Sequence, residues 1–334
     1  MSKLEVRWAT RGAPPPPGRH VLARIAFHAA PARVPPPVDG VVLPLAALDT
    51  GHEPEAGDEL WCVGDPVKRQ CRDGLWVATS REYTFGCLQC PPPADEQYQT
   101  AIAALYERLL TELAGSRHPC PVKIWHYLPA INRGAGDDEN YRRFCAGRDQ
   151  ALRAVAPHLM PLPAATAIGI PGDELPLTVY WLAAAHPGVN VENPRQTSAW
   201  RYPRQYGPVS PNFSRGTLLT GDGLFLISGT ASVVEHSSRH PDDSAAQSVE
   251  MLANLGALLD AAGMGGRAAP GGLRIYLRDP SSWPVIARRL ADSPWHNWPI
   301  RPLHGEICRA ELMVELDGVA CDASLPPTRQ SATE

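Results

Sequence analysis

Two stretches of this chain follow one plan, and that repetition limits the folds open to it more than any other feature. From Gln97 to Leu113, the residues Ile102, Leu105, Leu109 and Leu113 recur at helical spacing on one face. A turn holding Gly115 and Pro119 follows, and then 122–128 (VKIWHYL), β-branched and aromatic enough for a strand. Ser244 to Ala262 repeats the pattern with Val249, Leu252, Leu255 and Leu259. Gly263 is a natural helix stop there, and 273–279 reads as the next strand. A β-hairpin is expected before this second helix, with the glycine-bounded apolar run 223–229 as one of its strands. The segment 311–319 closes the chain with strict alternation. Leu312, Val314, Leu316 and Gly318 fall on one face, and Met313, Glu315, Asp317 and Val319 on the other.

Amphipathic helices alternating with such strands predict a duplicated α+β sandwich, with helices packed on one sheet face. Pro157, Pro161 and Pro163 interrupt a helical pattern, which places the boundary between Leu152 and Ala167. The expected units are therefore 1–160 and 161–334. The clusters at 14–17 and 35–37 predict loops or extended segments ahead of the first unit.

A chain of 334 residues is long enough for two ordinary domains. Its net charge of -4 speaks against general nucleic-acid affinity but leaves room for a local basic pocket. No apolar run approaches the roughly 20 residues of a membrane helix, and the N-terminus lacks an apolar signal core, so a cytoplasmic protein is expected. Cys87 and Cys90 have CxxC spacing, but no second pair completes a zinc site and three prolines follow directly. Ordinary thiols are expected. His236 and His240 are spaced for a helix, yet Ser237, Ser238 and Pro241 oppose one, and no HExxH occurs. No metal or other cofactor is expected.

The Pro-rich block 192–216 carries Arg195, Arg201, Arg204 and Arg215 beside Tyr202 and Tyr206. Arginine grips a carboxylate through two parallel charge-assisted hydrogen bonds, and tyrosine adds a donor over an apolar face. Such a block suits a small dianion.

Residues 210 to 322 resemble the RidA (YjgF) family, through GLFLISGTAS at 223–232, the run Ala245-Ala246-Gln247, LANLGALLDAAG at 252–263, LRIYLRDP at 273–280 and MVELDGVA at 313–320. The fuller likeness is to the chorismatases, which carry a degenerate first domain ahead of the RidA-like one. It is borne by YTFGCLQCP at 83–91, KIWHYLPAIN at 123–132, YRRFCAGRDQAL at 141–152, PAATAIG at 163–169 and ENPRQTSAWRYPRQYGPVSPNFSRG at 192–216. The resemblance implies an enzyme that splits pyruvate from chorismate, a substrate with two carboxylates, without a cofactor. It makes Glu315 the acid that protonates the enolpyruvyl methylene carbon, with Asp317 the runner-up. Arg201, Tyr206, Arg215 and Arg148 are the expected substrate ligands, and Gly229, Thr230 and Ala231 should border the pocket.

Chorismatases that form 3-hydroxybenzoate resemble this chain in having a cysteine near Cys308, which is therefore expected to affect the outcome. Seven residues separate it from Glu315, so a regular strand would set the two on opposite faces, and a turn or bulge is needed. The expected product is 3-hydroxybenzoate, with 4-hydroxybenzoate or a dihydroxycyclohexadiene carboxylate as alternatives. Glu235 stands where the family leads one to expect glycine. An imine deaminase and a non-enzymatic sensor of small aromatic acids are competing readings; the first domain and the Arg/Tyr block oppose the former. RidA proteins resemble trimers with sites between subunits, so a duplicated chain is expected to be a monomer.

Overall fold

Apolar residues on both faces of most strands require each sheet to be covered twice, and the architecture does this with three sheets around a shared core. The computed structural model describes residues 4–27, 39–43, 45–48, 57–159, 162–172 and 174–324. The cluster at 35–37 lies outside them, whereas 14–17 runs through the irregular connection after the first strand.

A small sheet comes first, in the order β1-β4-β2-β3, from β1 (Glu5–Ala9), β2 (His20–Phe27), β3 (Gly40–Leu43) and β4 (Asp58–Val63). Sequence reading did not anticipate it. The first repeat unit contains β5 (Lys68–Arg72), β6 (Leu75–Thr79), β7 (Tyr83–Cys90), α1 (Tyr98–Gly115), β8 (Cys120–Pro129), α2 (Asn140–Val155), β9 (Ala164–Ile170) and β10 (Leu177–Ala184). The second contains β11 (Val189–Val191), β12 (Gly216–Leu219), β13 (Leu224–Ala231), a hairpin of β14 (Val233–Val234) and β15 (Ser237–Ser238), α3 (Ser244–Ala261), β16 (Ala268–Leu277), α4 (Trp283–Ala291), β17 (Ile300–His304) and β18 (Val314–Asp322).

The sheets run β5-β6-β7-β10-β8-β9 and β11-β12-β13-β18-β16-β17. Setting the β14–β15 hairpin aside, both have the same order of first, second, third, sixth, fourth and fifth strand. In each, the fourth and fifth strands are parallel, with a helix between them as the crossover. This is the expected duplicated α+β fold. The division expected at 160/161 falls inside the first sheet, because the prolines end α2 before the chain has supplied β9 and β10.

Each helix pair covers the outer face of its own sheet. Ile102, Leu105, Leu109 and Leu113 of α1 pack there in the first unit. In the second, Leu252, Leu255, Leu258 and Leu259 of α3 do so, while Val249, expected on that stripe, is 51% exposed. Only Val249 falls off the expected stripe; at that end of the helix the buried face is continued by Ser248 and Met251. Asp243 caps α3 by accepting from the Ala246 amide at 3.0 Å. The inner faces of all three sheets share the central core, with Trp61, Trp125, Tyr180 and Tyr276 among its residues.

Glu235 occupies the turn of the β14–β15 hairpin at φ 55°, the left-handed region that favours glycine. The loop keeps a glycine-like shape despite the side chain. Its backbone is held by the Glu235 amide donating to the Arg195 carbonyl and the Thr197 amide donating to the Glu235 carbonyl. The same turn keeps His236 and His240 off a helix. No helix among the described residues is long and apolar enough to cross a membrane.

Candidate active site

The two repeat units meet where β9, an edge strand of the first sheet, lies against β12 and β13 of the second. Side chains stitch the seam: the Ala164 amide donates to Thr217 Oγ1 at 2.8 Å and the Ala165 amide to Ser228 Oγ at 3.0 Å. Beside this seam opens a cleft of about 430 Å³, of the size that takes small metabolites.

Glu315 stands on the cleft wall, 4% exposed, on the inner face of β18. Ala231 pairs with it across the strands, and β13 carries an irregularity between Ile227 and Thr230 that places Gly229 against the Glu315 carboxyl. Among the described residues no hydrogen bond reaches that carboxyl. Burial, then the nearby charge of Asp317, pushes its pKa up to about 8, against the pull of Arg215 and Lys123. The group is therefore a carboxylic acid at neutral pH.

Asp317, two residues along the same face, has the opposite surroundings and does not line the cleft. Lys123 Nζ lies 3.3 Å away, the Thr166 hydroxyl donates at 2.7 Å and the Tyr276 hydroxyl at 3.2 Å. Burial opposes its charge, yet Lys123, Arg274 and Thr166 together hold it below the usual carboxylate range. Asp317 is thus an anion without access to a ligand, which removes it as runner-up acid. Two carboxyls on one strand face are pushed apart by their environments.

The cleft's cations come from three segments. Arg148 projects from α2, almost wholly buried, over the Phe144 ring and towards Tyr106. The Tyr106 hydroxyl contacts His126 Nε2 at 2.5 Å, and His126 Nδ1 meets the Thr166 carbonyl at 2.7 Å. A carbonyl only accepts, so Nδ1 carries the proton and Nε2 accepts from tyrosine. Burial, with Arg148 adding to it, lowers His126 to about 3, so the ring is neutral. Arg215 donates to the Thr197 carbonyl at 2.9 Å and to the Tyr202 hydroxyl at 2.7 Å, while its Nε is buried with no partner among the described residues. Arg309 lies 3.9 Å above the Tyr206 ring and donates to the His236 carbonyl and Ser238 Oγ.

Of the residues singled out from sequence, Glu315, Cys308, Arg148, Tyr206, Arg215, Gly229 and Ala231 line this cleft. Cys308 reaches it because it precedes β18 in a turn, which resolves the odd spacing from Glu315. Burial, then Glu315, pushes its thiol pKa above the ordinary value, so it is not a thiolate. Arg201 and Thr230 do not line the cleft. Arg201 is exposed at the end of a short 3₁₀ turn, 199–201, whose Ala199 is buried and which hands the cleft position to Tyr202. Thr230, paired with Leu316, lies on the other face of β13 from its neighbours, its hydroxyl bonded to the Ser228 carbonyl. Arg195 and Arg204 are engaged with Glu250 and Asp137. Sequence reading missed Arg309, His126 and Tyr202 as cleft residues. Arg309 adjoins Cys308, and the other two sit in blocks already singled out, but nothing in spacing aims them inward.

A duplicated α+β chain with one protonated carboxyl and several arginines turned into a small-molecule cleft has the layout of an enzyme. The family description "Chorismatase FkbO/Hyg5-like, N-terminal" matches residues 59–183. A chorismatase of Streptomyces rapamycinicus is 33% identical over 288 residues, 82% of this chain and 85% of that protein. A 3-hydroxybenzoate synthase of Streptomyces hygroscopicus is 29% identical over 91% of this chain and 93% of its own length. A chorismatase crystal structure superposes with a TM-score of 0.82 at 28% identity, covering 96% of this chain and 99% of that one. The chain belongs to the chorismatase family.

Proposed function

We propose that this enzyme removes pyruvate from chorismate and releases 3-hydroxybenzoate, with Glu315 supplying the proton. The observation that carries the reading is a neutral Glu315 carboxyl on the wall of an arginine-lined cleft. Enol-ether cleavage needs a proton on the methylene carbon, and only an acid still protonated near pH 7 can give it. The transfer leaves an oxocarbenium carbon on the substrate and a carboxylate at Glu315, so the acid becomes the counter-charge for the cation it made. Arg148, Arg215 and Arg309 hold the two substrate carboxylates, and Tyr206 and Ala231 bound the ring.

The ring hydroxyl captures the oxocarbenium centre in place of water to give a cyclic ketal, its proton returning to Glu315. Loss of the C–H proton beside the ether oxygen, with cleavage of the hydroxyl oxygen's bond to the ring, then aromatises the ring. The hemiketal so formed collapses to 3-hydroxybenzoate and pyruvate. The likeness to a 3-hydroxybenzoate synthase over nearly the whole chain supports that branch. On this reading the chain works as a cytoplasmic monomer, both walls of its cleft coming from one polypeptide. Incubation with chorismate, followed by chromatography, tests it: pyruvate and 3-hydroxybenzoate are expected in equal amounts. A dihydroxycyclohexadiene carboxylate as main product would overturn the branch but keep the substrate. Unconsumed chorismate would overturn both.

A further inference from the structure

Behind the cleft, the central core holds a chain of buried polar groups that no step above requires. Glu59 of β4 makes a bidentate pair with Arg274 of β16, both distances 2.7 Å. Arg274 donates to the Tyr127 and Tyr180 hydroxyls at 2.9 and 2.6 Å. Tyr127 meets Tyr276 at 2.9 Å, and Tyr276 donates to Asp317. Lys123 closes the far side of Asp317 and also donates to the Ile227 carbonyl. Each of these side chains is buried, and they come from all three sheets. An assembly of this kind costs stability relative to apolar packing, which calls for a reason.

Position supplies one. Glu315 and Asp317 are two residues apart on the same strand face, about 6–7 Å along β18. They are the two carboxyls at this end of the core, and the groups facing them come from every neighbouring element. Lys123 and Tyr127 lie on β8, Thr166 on β9, Tyr180 on β10, Arg274 and Tyr276 on β16, Arg215 beyond β13 and Cys308 in the turn before β18. Of the two carboxyls only Asp317 receives hydrogen bonds among the described residues, from Lys123, Thr166 and Tyr276. We propose that Asp317 is a positioning residue whose fixed negative charge keeps the proton on Glu315, and that the buried chain reaching to Glu59 holds Asp317 in that charged state. The small N-terminal sheet would then belong to the acid catalyst rather than serve only as a cover. This proposal rests on the reading of Glu315 as the acid.

Carboxyl infrared difference spectroscopy across pH, with Glu315→Gln to assign the band, reads the Glu315 proton directly. The pH dependence of kcat/KM on chorismate is followed in parallel. The direct reading is needed because Lys123, lowered by burial to about 8, titrates in the same range. In Asp317→Asn the Glu315 midpoint is expected to fall by about one pH unit or more, as loss of a close like charge requires. Because this variant leaves Lys123 buried without its partner, Lys123→Met/Asp317→Asn serves as a second test, with the same direction expected. Glu59→Gln should move the midpoint the same way by less.

An unmoved midpoint in both Asp317 variants overturns the proposal, and one unmoved only in Glu59→Gln overturns its extension to the small sheet. A midpoint that falls while the kcat/KM profile stays in place would uphold the proposal and remove Glu315 as the acid.

Discussion

Gly229 and Glu315 compete for one point in space: a Cβ on residue 229 would lie 2.2 Å from Glu315 Oε1. The glycine is needed for close approach, not for an unusual backbone angle. Gly229→Ala must therefore displace the carboxyl, and the β13 backbone cannot retreat because the Ser228 hydroxyl is bonded into the unit seam. A misplacement of about 1 Å can cost on the order of 10²-fold in turnover. Steady-state kinetics should show kcat falling by that order, with KM changing much less because the arginines stay in place.

Replacing the proposed acid separates chemistry from stability. Glu315→Gln keeps size and shape but has no proton to give, so kcat should fall by roughly 10²–10⁴-fold. Stability should move the other way. The Glu315 pKa is raised from the usual 4.5 to about 8 in the folded state. Its contribution is thus fully present below about pH 4.5 and is lost as pH rises through 8. Glutamine carries no such loss. Thermal unfolding should give Glu315→Gln a higher midpoint than wild type, the gap widening between those pH values and levelling above them.

The cations should report on binding. Arg148→Met keeps apolar bulk over Phe144 but removes the charge. The charge-assisted pair it would form with a carboxylate is among the stronger hydrogen bonds. KM for chorismate should rise about 10-fold or more, as loss of a charged hydrogen bond implies, with a smaller change in kcat. An exposed arginine of the same Arg/Tyr block provides the control: Arg201→Ala, outside the cleft, should leave both constants near wild type.

The two-unit plan was legible because helix periodicity and strand alternation are local signals, and they place α1, β8, α3 and β16 without further help. The inner face of β18 was legible for the same reason, so Glu315 and Asp317 could be put side by side. What alternation could not say is which carboxyl faces a ligand. That follows from Lys123, Thr166 and Tyr276, which meet Asp317 from other strands. Arg201 was misplaced because a block of arginines has no periodicity to sort inward from outward. The small sheet went unseen because its paired strands are separated by proline-rich segments of irregular length.

On the proposed reading, product choice rests on the wall beside the ring; Cys308 and Ala231 both line the cleft. An oxocarbenium centre can be captured by water or by the ring's own hydroxyl, and an oriented neighbour has a large effective concentration if water is kept out. Burial keeps the Cys308 thiol protonated, so on the proposed reading it acts by filling space and excluding water rather than as a nucleophile. Cys308→Ala opens room of about the size of one sulfur atom next to Glu315. Chorismate consumption should stay measurable, while chromatography shows product moving from hydroxybenzoate towards the dihydroxycyclohexadiene carboxylate. Mass spectrometry of wild-type enzyme during turnover should find no covalent adduct on Cys308. An unchanged product ratio in the variant would mean that the thiol only packs, and that the ring hydroxyl's own placement decides the branch.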